Sequence, residues 1–366
     1  FAAIILHYSL FGSSAGPLGP ILGTPLYLLN DDHVRFLRTS SARRIAIFQD
    51  EQSFGRARWN FCNEFGIDCA YTCLEPTEWE KTWRRYTQVP DLRTTLPGYV
   101  DDGLIEVGRR FATPSDRRTV DVGYRGRPIP IFMDTSQEKT EIGARFNRLA
   151  GDSGLRLDVS VDEGDRIYGD DWYRFLADSR TTLGVESGAS VVDCEDEVRN
   201  DYERLVAERG EVTLADLRRT SLAKWDNAIR YRTVGPRHFE AAALGSCQVL
   251  YEGSYSGVLE PMEHYVPLRK DFSNLDEVLE VVRDRRACAE IADRAYERLI
   301  ASGDFGYRSF IGEVDRDLLE AGLWPEIDRR EARAVSRAWR RGSRRRRLRH
   351  WLQPRIDRAW ARIFGP

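Results

Sequence analysis

Short apolar, β-rich runs alternate with helical stretches along the first third of the chain. Residues 2–7, 44–49 and 67–73 read as strands, separated by Gly/Pro-bearing or amphipathic segments, and that rhythm predicts a parallel α/β arrangement. Between the second and third runs, Phe54, Trp59, Phe61, Cys62 and Phe65 recur at roughly helical spacing before Gly66, which suits a C-cap, so a crossover helix is expected over 54–65. From 90 to 118 the pattern dissolves into Pro90, Pro97, Gly98, Asp101, Asp102, Gly103 and Pro114. That stretch reads as a linker or the edge of a second domain, with a domain boundary near residue 112.

A second α/β series follows. Its expected strands are 119–124, 155–161 and 181–185, and its expected helices are 137–150, with Ile142, Phe146 and Leu149 on one face, and 172–177. The third strand ends in Glu186, Ser187 and Gly188, a polar loop. Residues 190–232, rich in Asp, Glu and Arg at amphipathic helical spacing, read as an inserted helical excursion. The core pattern then resumes. Pro236 suits a first helical turn and Gly245 a C-cap, and 247–251 is a buried strand opening into a loop with two glycines, two serines and a tyrosine, flanked by Glu252 and Glu260.

Ligands of a parallel sheet bind beyond the carboxyl ends of its strands, where helix N-termini present free N–H groups to phosphate. A diphosphate-containing ligand fits that place, and Glu240, one turn into the helix, is positioned to accept hydrogen bonds from a pair of vicinal hydroxyls. A plainer reading stays open: Glu240 stabilises its own helix N-terminus and the loop is a turn. His238 lies about 200° round the helix from Glu240, so one of the two is expected to reach a ligand.

Composition narrows the class. At about 150 residues per domain, 366 residues suggest two domains, and 42% hydrophobic with 11% aromatic residues excludes a disordered or fibrous chain. The net charge of −3 hides an asymmetry: residues 329–366 carry fourteen Arg against Glu331 and Asp357, leaving an acidic body with a basic tail. Within 340–364, Leu348, Trp351, Leu352, Ile356, Trp360, Ile363 and Phe364 recur at helical spacing among arginines. Such a basic amphipathic stretch either packs back on the body or docks on an anionic membrane surface; nucleic acid is the less favoured partner. Six dispersed cysteines without C-x2-C spacing indicate neither a disulfide framework nor a structural metal, and a cytoplasmic setting is expected. The apolar opening at 1–6 is too short for a signal peptide, and no run reaches about 18 apolar residues. The first residue is Phe, inside a strand-like run, so upstream sequence is expected to be missing.

Residues 236–250 resemble the segment E-A-M-A-x-G-x-P-V-V of nucleotide-sugar glycosyltransferases of the GT-B fold, and closer still the variant of spore-maturation-protein-type (CgeB-like) glycosyltransferases. Downstream, Gly257 to Glu260, His264-Tyr265-Val266-Pro267-Leu268, Asp271 and 275–282 are similar to that family's closing loop, strand and helix, and Ile291, Ala292, Tyr307 and Phe310 continue the pattern. Upstream, Asp121-Val122-Gly123-Tyr124-Arg125-Gly126-Arg127 is similar to the first strand of the family's donor domain, where a glycine and an arginine line the diphosphate site. The resemblance covers roughly 119–312 and reaches the first 112 residues only as architecture.

It implies an α/β fold of two Rossmann-like domains facing a cleft (GT-B): an acceptor domain over 1–112, truncated at its N-terminus; a donor domain over 113–312 with the helical insertion at about 190–232; and a basic helical tail over 313–366. It implies that Glu240 binds the ribose, that Arg127 and Lys139 neutralise the diphosphate, and that the Ser256, Gly257, Val258 loop, with Glu260 beside it, contacts the donor. Retaining members carry E-x7-E with the second Glu at the position of Glu240; eight residues earlier this chain has Arg232. Glu252 and Glu260 have the spacing but lie one strand later, so Glu186 is the substitute candidate. On the acceptor side, His7 and Asp50, with Glu51 next to it, end the first two strands and are candidate general bases. The implied reaction moves a sugar from a nucleoside-diphosphate donor to a glycan, lipid or protein, with positive groups and helix dipoles stabilising the departing diphosphate. It calls for no cofactor and no metal. Asp31-Asp32 and Asp170-Asp171 read as solvated surface pairs rather than a metal-holding D-x-D. Two alternatives remain, a catalytically silent binding module of the same fold and a membrane- or RNA-associated scaffold driven by the tail.

Overall fold

The computed structural model describes residues 2–7 and 35–323. The chain divides into two compact units, Phe1–Arg316 and Asp317–Pro366, and the architecture below is that of the first. The basic stretch at 340–364, Tyr8, Ser9 and the Asp31-Asp32 pair lie outside the described residues.

Two parallel sheets organise this unit, as the sequence predicts. The first contains β1 (Ala3–Leu6), β2 (Arg43–Ile47), β3 (Cys69–Thr72) and β4 (Asp91–Thr94) in the order β1-β2-β3-β4. The crossover helix α1 (Gly55–Glu64) buries Trp59, Phe61 and Cys62 against it. The second contains β5 (Val120–Arg125), β6 (Leu157–Ser160), β7 (Ser179–Gly184), β10 (Cys247–Tyr251) and β11 (Val266–Leu268), in the order β11-β10-β7-β5-β6. The chain leaves β5 for β6 on one side and then crosses to β7 on the other. The doubly wound sheet therefore has its topological switch point between β5 and β7, where such sheets place their ligands.

Two segments differ from the sequence expectation. The stretch 90–118 is not a linker: it holds edge strand β4 and helix α2 (Asp102–Phe111). Only Leu92 of β4 is buried, so no apolar run marks it. Helix α2 is capped by Asp101, whose Oδ1 accepts from Leu104 N–H at 2.6 Å. Gly108 breaks its helical signature yet is needed there, since a Cβ would stand 2.6 Å from the Ala243 carbonyl. The excursion at 190–232 contains helix α5 (Glu197–Arg209) but is framed by an antiparallel pair, β8 (Ser187–Val191) and β9 (Asp226–Thr233). Its apolar side chains Val198, Leu205, Leu217, Leu222 and Trp225 join the core of the first sheet rather than the second. Trp59 Nε1 donates to the Cys194 carbonyl at 3.0 Å, and Gly55 lies so close to Cys194 that a Cβ would meet its Cα at 2.7 Å.

Five further helices pack on the second sheet: α3 (Glu138–Ala150), α4 (Asp170–Asp178), α6 (Pro236–Ala243), α7 (Leu275–Arg283) and α8 (Arg285–Tyr296). On α3, Ile142 and Phe146 are fully buried, each contributing about 1.5–3 kcal/mol of apolar burial. Leu149, expected on the same face, is exposed. Helix α6 begins at Pro236, where the missing N–H costs nothing, and is followed by Gly245 at φ 64°. No helix among the described residues is long and apolar enough to cross a membrane.

Candidate functional site

Two adjoining hollows open at the carboxyl ends of β5 and β7. The inner one, about 350 Å³, is bounded by Gly126 and Arg127 after β5, Lys139 on α3, Gly184 and Ser187 after β7, and the amino end of α6 from Gly235 to His238. The outer one, about 320 Å³, runs from Arg125–Arg127 past Arg166 and Tyr168 to Tyr173 and Glu240. Gly126, Arg127, Trp172 and Arg237 line both, so the hollows are compartments of one site, each of a size suited to part of a small-molecule ligand. Two helix N-termini, those of α3 and α6, supply residues to the inner compartment.

Its electrostatics are cationic. Lys139 is half-buried, and its Nζ makes one long contact with the Gly188 carbonyl, 3.4 Å. Burial is the main reason its ammonium is held below the ordinary lysine value; Asp134 opposes that, while Arg232, Arg237 and Arg127 add to it. Arg237 donates to the Arg125 carbonyl at 2.6 Å and lays its guanidinium 5.0 Å from the Trp172 ring centre. A cluster of cations with this much mutual repulsion gains from a multiply charged anion. No carboxylate lines the inner compartment among the described residues.

Glu240 stands on α6 in the outer compartment, where its Oε2 accepts from Trp172 Nε1 at 2.8 Å. His238, on the other side of the same helix, is buried and lines the inner compartment. The two residues therefore face different hollows, where one of them was expected to reach open space. The Gly235 N–H donates to His238 Nδ1 at 2.9 Å, which assigns the proton to Nε2. Burial lowers the imidazole to about 4, so it caps the helix as a neutral ring.

The other expected residues are placed as follows. Glu186 is buried, and its Oε1 accepts from Ser254 N (3.0 Å), Ser254 Oγ (3.0 Å) and Tyr255 N (2.8 Å). It pins the loop after β10. Gly253 in that loop leaves no room for a side chain, since a Cβ would lie 2.7 Å from Glu186 Cδ. Ser256 Oγ is 2.7 Å from Thr233 Oγ1, and Ser256, Gly257 and Glu260 line neither compartment. Ser256 thus ties the loop to β9. Arg232, in the place of the family's first Glu, pairs with Glu138 at 3.3 Å, and Lys270 pairs with the same carboxylate at 2.7 Å. His7 is exposed after β1 and lines neither compartment. Asp50 has φ 54° and is exposed, yet the protein packed around it pushes its carboxyl up, against the pull of Lys139, Arg58 and Arg127. Glu51 is buried. Among the described residues, no group of three or more His, Cys, Asp or Glu could hold a metal ion.

Trp172, Thr182, Gln248 and Arg237 line the site but are absent from the expected set. Gln248 leaves a trace in the sequence as the polar member of an otherwise apolar strand. Trp172 leaves less, an aromatic three residues after Gly169 in an acidic first turn.

Residues 132–309 match the model of a family described as "Glycosyl transferase-like". The match contains α3, α4, α6 and β7, and so most of both compartments, but not Tyr124–Arg127. No curated protein matches the chain. Similar solved structures include an alpha-glucosyltransferase in complex with UDP-glucose and DNA containing an abasic site (12% identity, 87% of this chain and 80% of that one, TM-score 0.47). Anabaena Alr3699/HepE in complex with UDP-glucose is another (11%, 76% and 72%, TM-score 0.44), as is sucrose-phosphate synthase from Thermosynechococcus elongatus (12%, 88% and 74%, TM-score 0.41). The matched residues 132–309, just under half of the chain, are thus similar to a glycosyltransferase-like family.

Proposed function

We propose that the protein transfers a sugar from a nucleoside-diphosphate donor to a glycan, lipid or protein acceptor, in a two-domain GT-B arrangement of the spore-maturation-protein kind. The observation that carries this reading is the convergence of Arg127, Lys139 and Arg237 on two helix N-termini at the switch point of a doubly wound sheet. In this reading, Lys139 and Arg127 hold the diphosphate beside the amino end of α3, with Arg237 next to them. Glu240 accepts from the ribose hydroxyls in the outer compartment, where Trp172, Tyr168 and Tyr173 offer aromatic surface to the base. The sugar lies in the inner compartment toward Ser187. Fixed cations and helix dipoles stabilise charge on the departing diphosphate without reorganising. Asp50, whose raised carboxyl makes it the stronger base, stands on the first sheet within the field of Lys139 and Arg127 and is the group assigned to the acceptor hydroxyl.

Calorimetric titration of the full chain with UDP and GDP tests the site, and release of free nucleoside diphosphate from a panel of donor sugars tests the reaction. Binding that weakens in Lys139→Ala and Arg127→Ala is expected. A wild-type chain that binds neither nucleotide ends the proposal. Binding without release favours the silent module instead, a reading supported by Arg232 being tied to Glu138 and by the lack, among the described residues, of a carboxylate along the inner compartment.

A further inference from the structure

The indole that separates the two compartments also holds the carboxylate of one of them. Trp172 sits in the first turn of α4, half-buried, with its ring 5.7 Å from Phe175 in a stacked arrangement and the Arg237 guanidinium 5.0 Å from its centre. These contacts fix the plane of the ring. Its Nε1, a donor with no acceptor capacity, then points at Glu240 Oε2 at 2.8 Å, joining α4 to α6 across 68 residues of sequence. A glutamate at an open helix surface has three side-chain torsions to choose among; this one is fixed by a charge-assisted hydrogen bond from a ring that is itself fixed. One bond uses one of about four acceptor sites on a carboxylate, so Oε1 and the remaining lone pairs stay available to a ligand.

Resting on the nucleotide-binding reading above, we infer that Trp172 is a positioning residue that makes the site selective for a ribose: it presents Glu240 to a vicinal diol, so that donors with an intact 2′,3′-diol are favoured over those without one. The preference belongs to the Trp172–Glu240 pair rather than to Glu240 alone. A glutamate released from the indole samples orientations that meet at most one hydroxyl, and the energetic advantage of the diol falls. Phenylalanine at position 172 keeps the aromatic wall and its stacking on Phe175 but has no N–H.

The test uses the full chain and isothermal titration calorimetry with UDP, GDP and their 2′,3′-dideoxy counterparts. The wild-type protein is expected to favour the ribonucleotide. In Trp172→Phe that preference is expected to fall about five- to tenfold, the scale of one net hydrogen bond, with ribonucleotide binding weakened by that factor more than dideoxynucleotide binding. In a Glu240→Ala background the same substitution is expected to change the preference no further, the signature of coupled residues in a double-mutant cycle. Equal loss of ribo- and dideoxynucleotide binding in Trp172→Phe would mean that the indole serves only as a wall, and an unchanged preference would mean that Glu240 needs no help; either overturns the inference while leaving the site intact. A wild-type chain that binds no nucleoside diphosphate overturns the nucleotide reading itself, and this inference with it. Near- and far-ultraviolet circular dichroism of each variant separates these outcomes from misfolding.

Discussion

The carboxyl ends of the two parallel sheets occupy equivalent places in their α/β units and are built in opposite ways. At the end of β2, Glu51 is buried and fully engaged: Thr72 Oγ1 donates to both of its oxygens at 2.7 and 2.8 Å, Cys73 N–H at 2.7 Å and Trp83 Nε1 at 3.1 Å. Trp83 is itself buried and packs on Phe48 and Trp59 at 5.1 and 5.0 Å. Arg58 spends two of its donors on the carbonyls of Glu51 and Ser53. At the ends of β5 and β7, by contrast, Arg127 is exposed, Lys139 makes one long contact, and a hollow remains. The difference lies in the match of donors to acceptors. Where donors converge on a buried carboxylate the strand ends close into a plug, and where cations outnumber their partners the same topology keeps room for an anion.

Removing the plug is expected to give the largest effect. Glu51→Ala strips acceptors from a buried hydroxyl, a backbone N–H and an indole N–H at once, at a cost of about 4 kcal/mol, read as a lower urea midpoint. The ligand site at the other sheet should keep its nucleotide affinity wherever the variant remains folded.

Titration separates the two regions by sign. His238 is depressed to about 4 in the folded chain, below the ordinary value near 6.5, so the unfolded chain binds the extra proton between those values and stability is lost as pH falls through that window. The full loss is about 3 kcal/mol. Burial raises Glu51 instead, so its contribution runs the other way, with stability regained as pH falls toward and below its raised value. Urea midpoints at pH 7 and pH 4.5 for wild type and His238→Gln isolate the imidazole. The variant should show the smaller drop, and an equal drop would mean that His238 is not the neutral cap described here.

Much of this contrast was legible in sequence, and what was not has a physical cause. Strand β10 was expected at its observed bounds because all five of its residues are buried and two turn signals enclose it. Helix α6 was readable from Pro236 and Gly245, and Arg127 and Lys139, the two residues expected at the diphosphate, do lie along one hollow. Strand β4 and helix α2 were hidden because an edge strand with one buried residue and a helix containing Gly103 and Gly108 carry little periodic signal. The loop after β10 was expected against the donor, yet its orientation is set by Glu186 and Thr233, contacts spanning 68 and 23 residues that no local spacing encodes. The Trp172–Glu240 bond is of the same kind.

Opening the cationic side further comes next in size. Lys139→Ala is expected to weaken nucleoside diphosphate binding by about 2 kcal/mol, some thirtyfold, while changing the urea midpoint little, because the ammonium is bound in the folded chain by a single long contact. A comparable loss of stability would show that Lys139 belongs to the closed kind of site after all.

The smallest expected effect decides on which side Glu186 falls. It lies at the end of β7, among the strands that frame the open site, yet its Oε1 is engaged as fully as the Glu51 carboxylate, by two backbone N–H groups and a hydroxyl of one loop. Glu186→Gln keeps an acceptor oxygen for that loop and removes only the charge, so a cost of about 1 kcal/mol is expected, with nucleotide affinity within about threefold of wild type. Turnover carries the contrast. If Glu186 acts as a structural clamp, donor-sugar cleavage in the variant should follow occupancy of the site and stay near wild type once the nucleotide sugar is saturating. A variant that binds donor normally but releases no nucleoside diphosphate would instead place this carboxylate at the reacting sugar, and the clean division between a closed first sheet and an open second one would give way to a site in which one group both holds the loop and serves the chemistry.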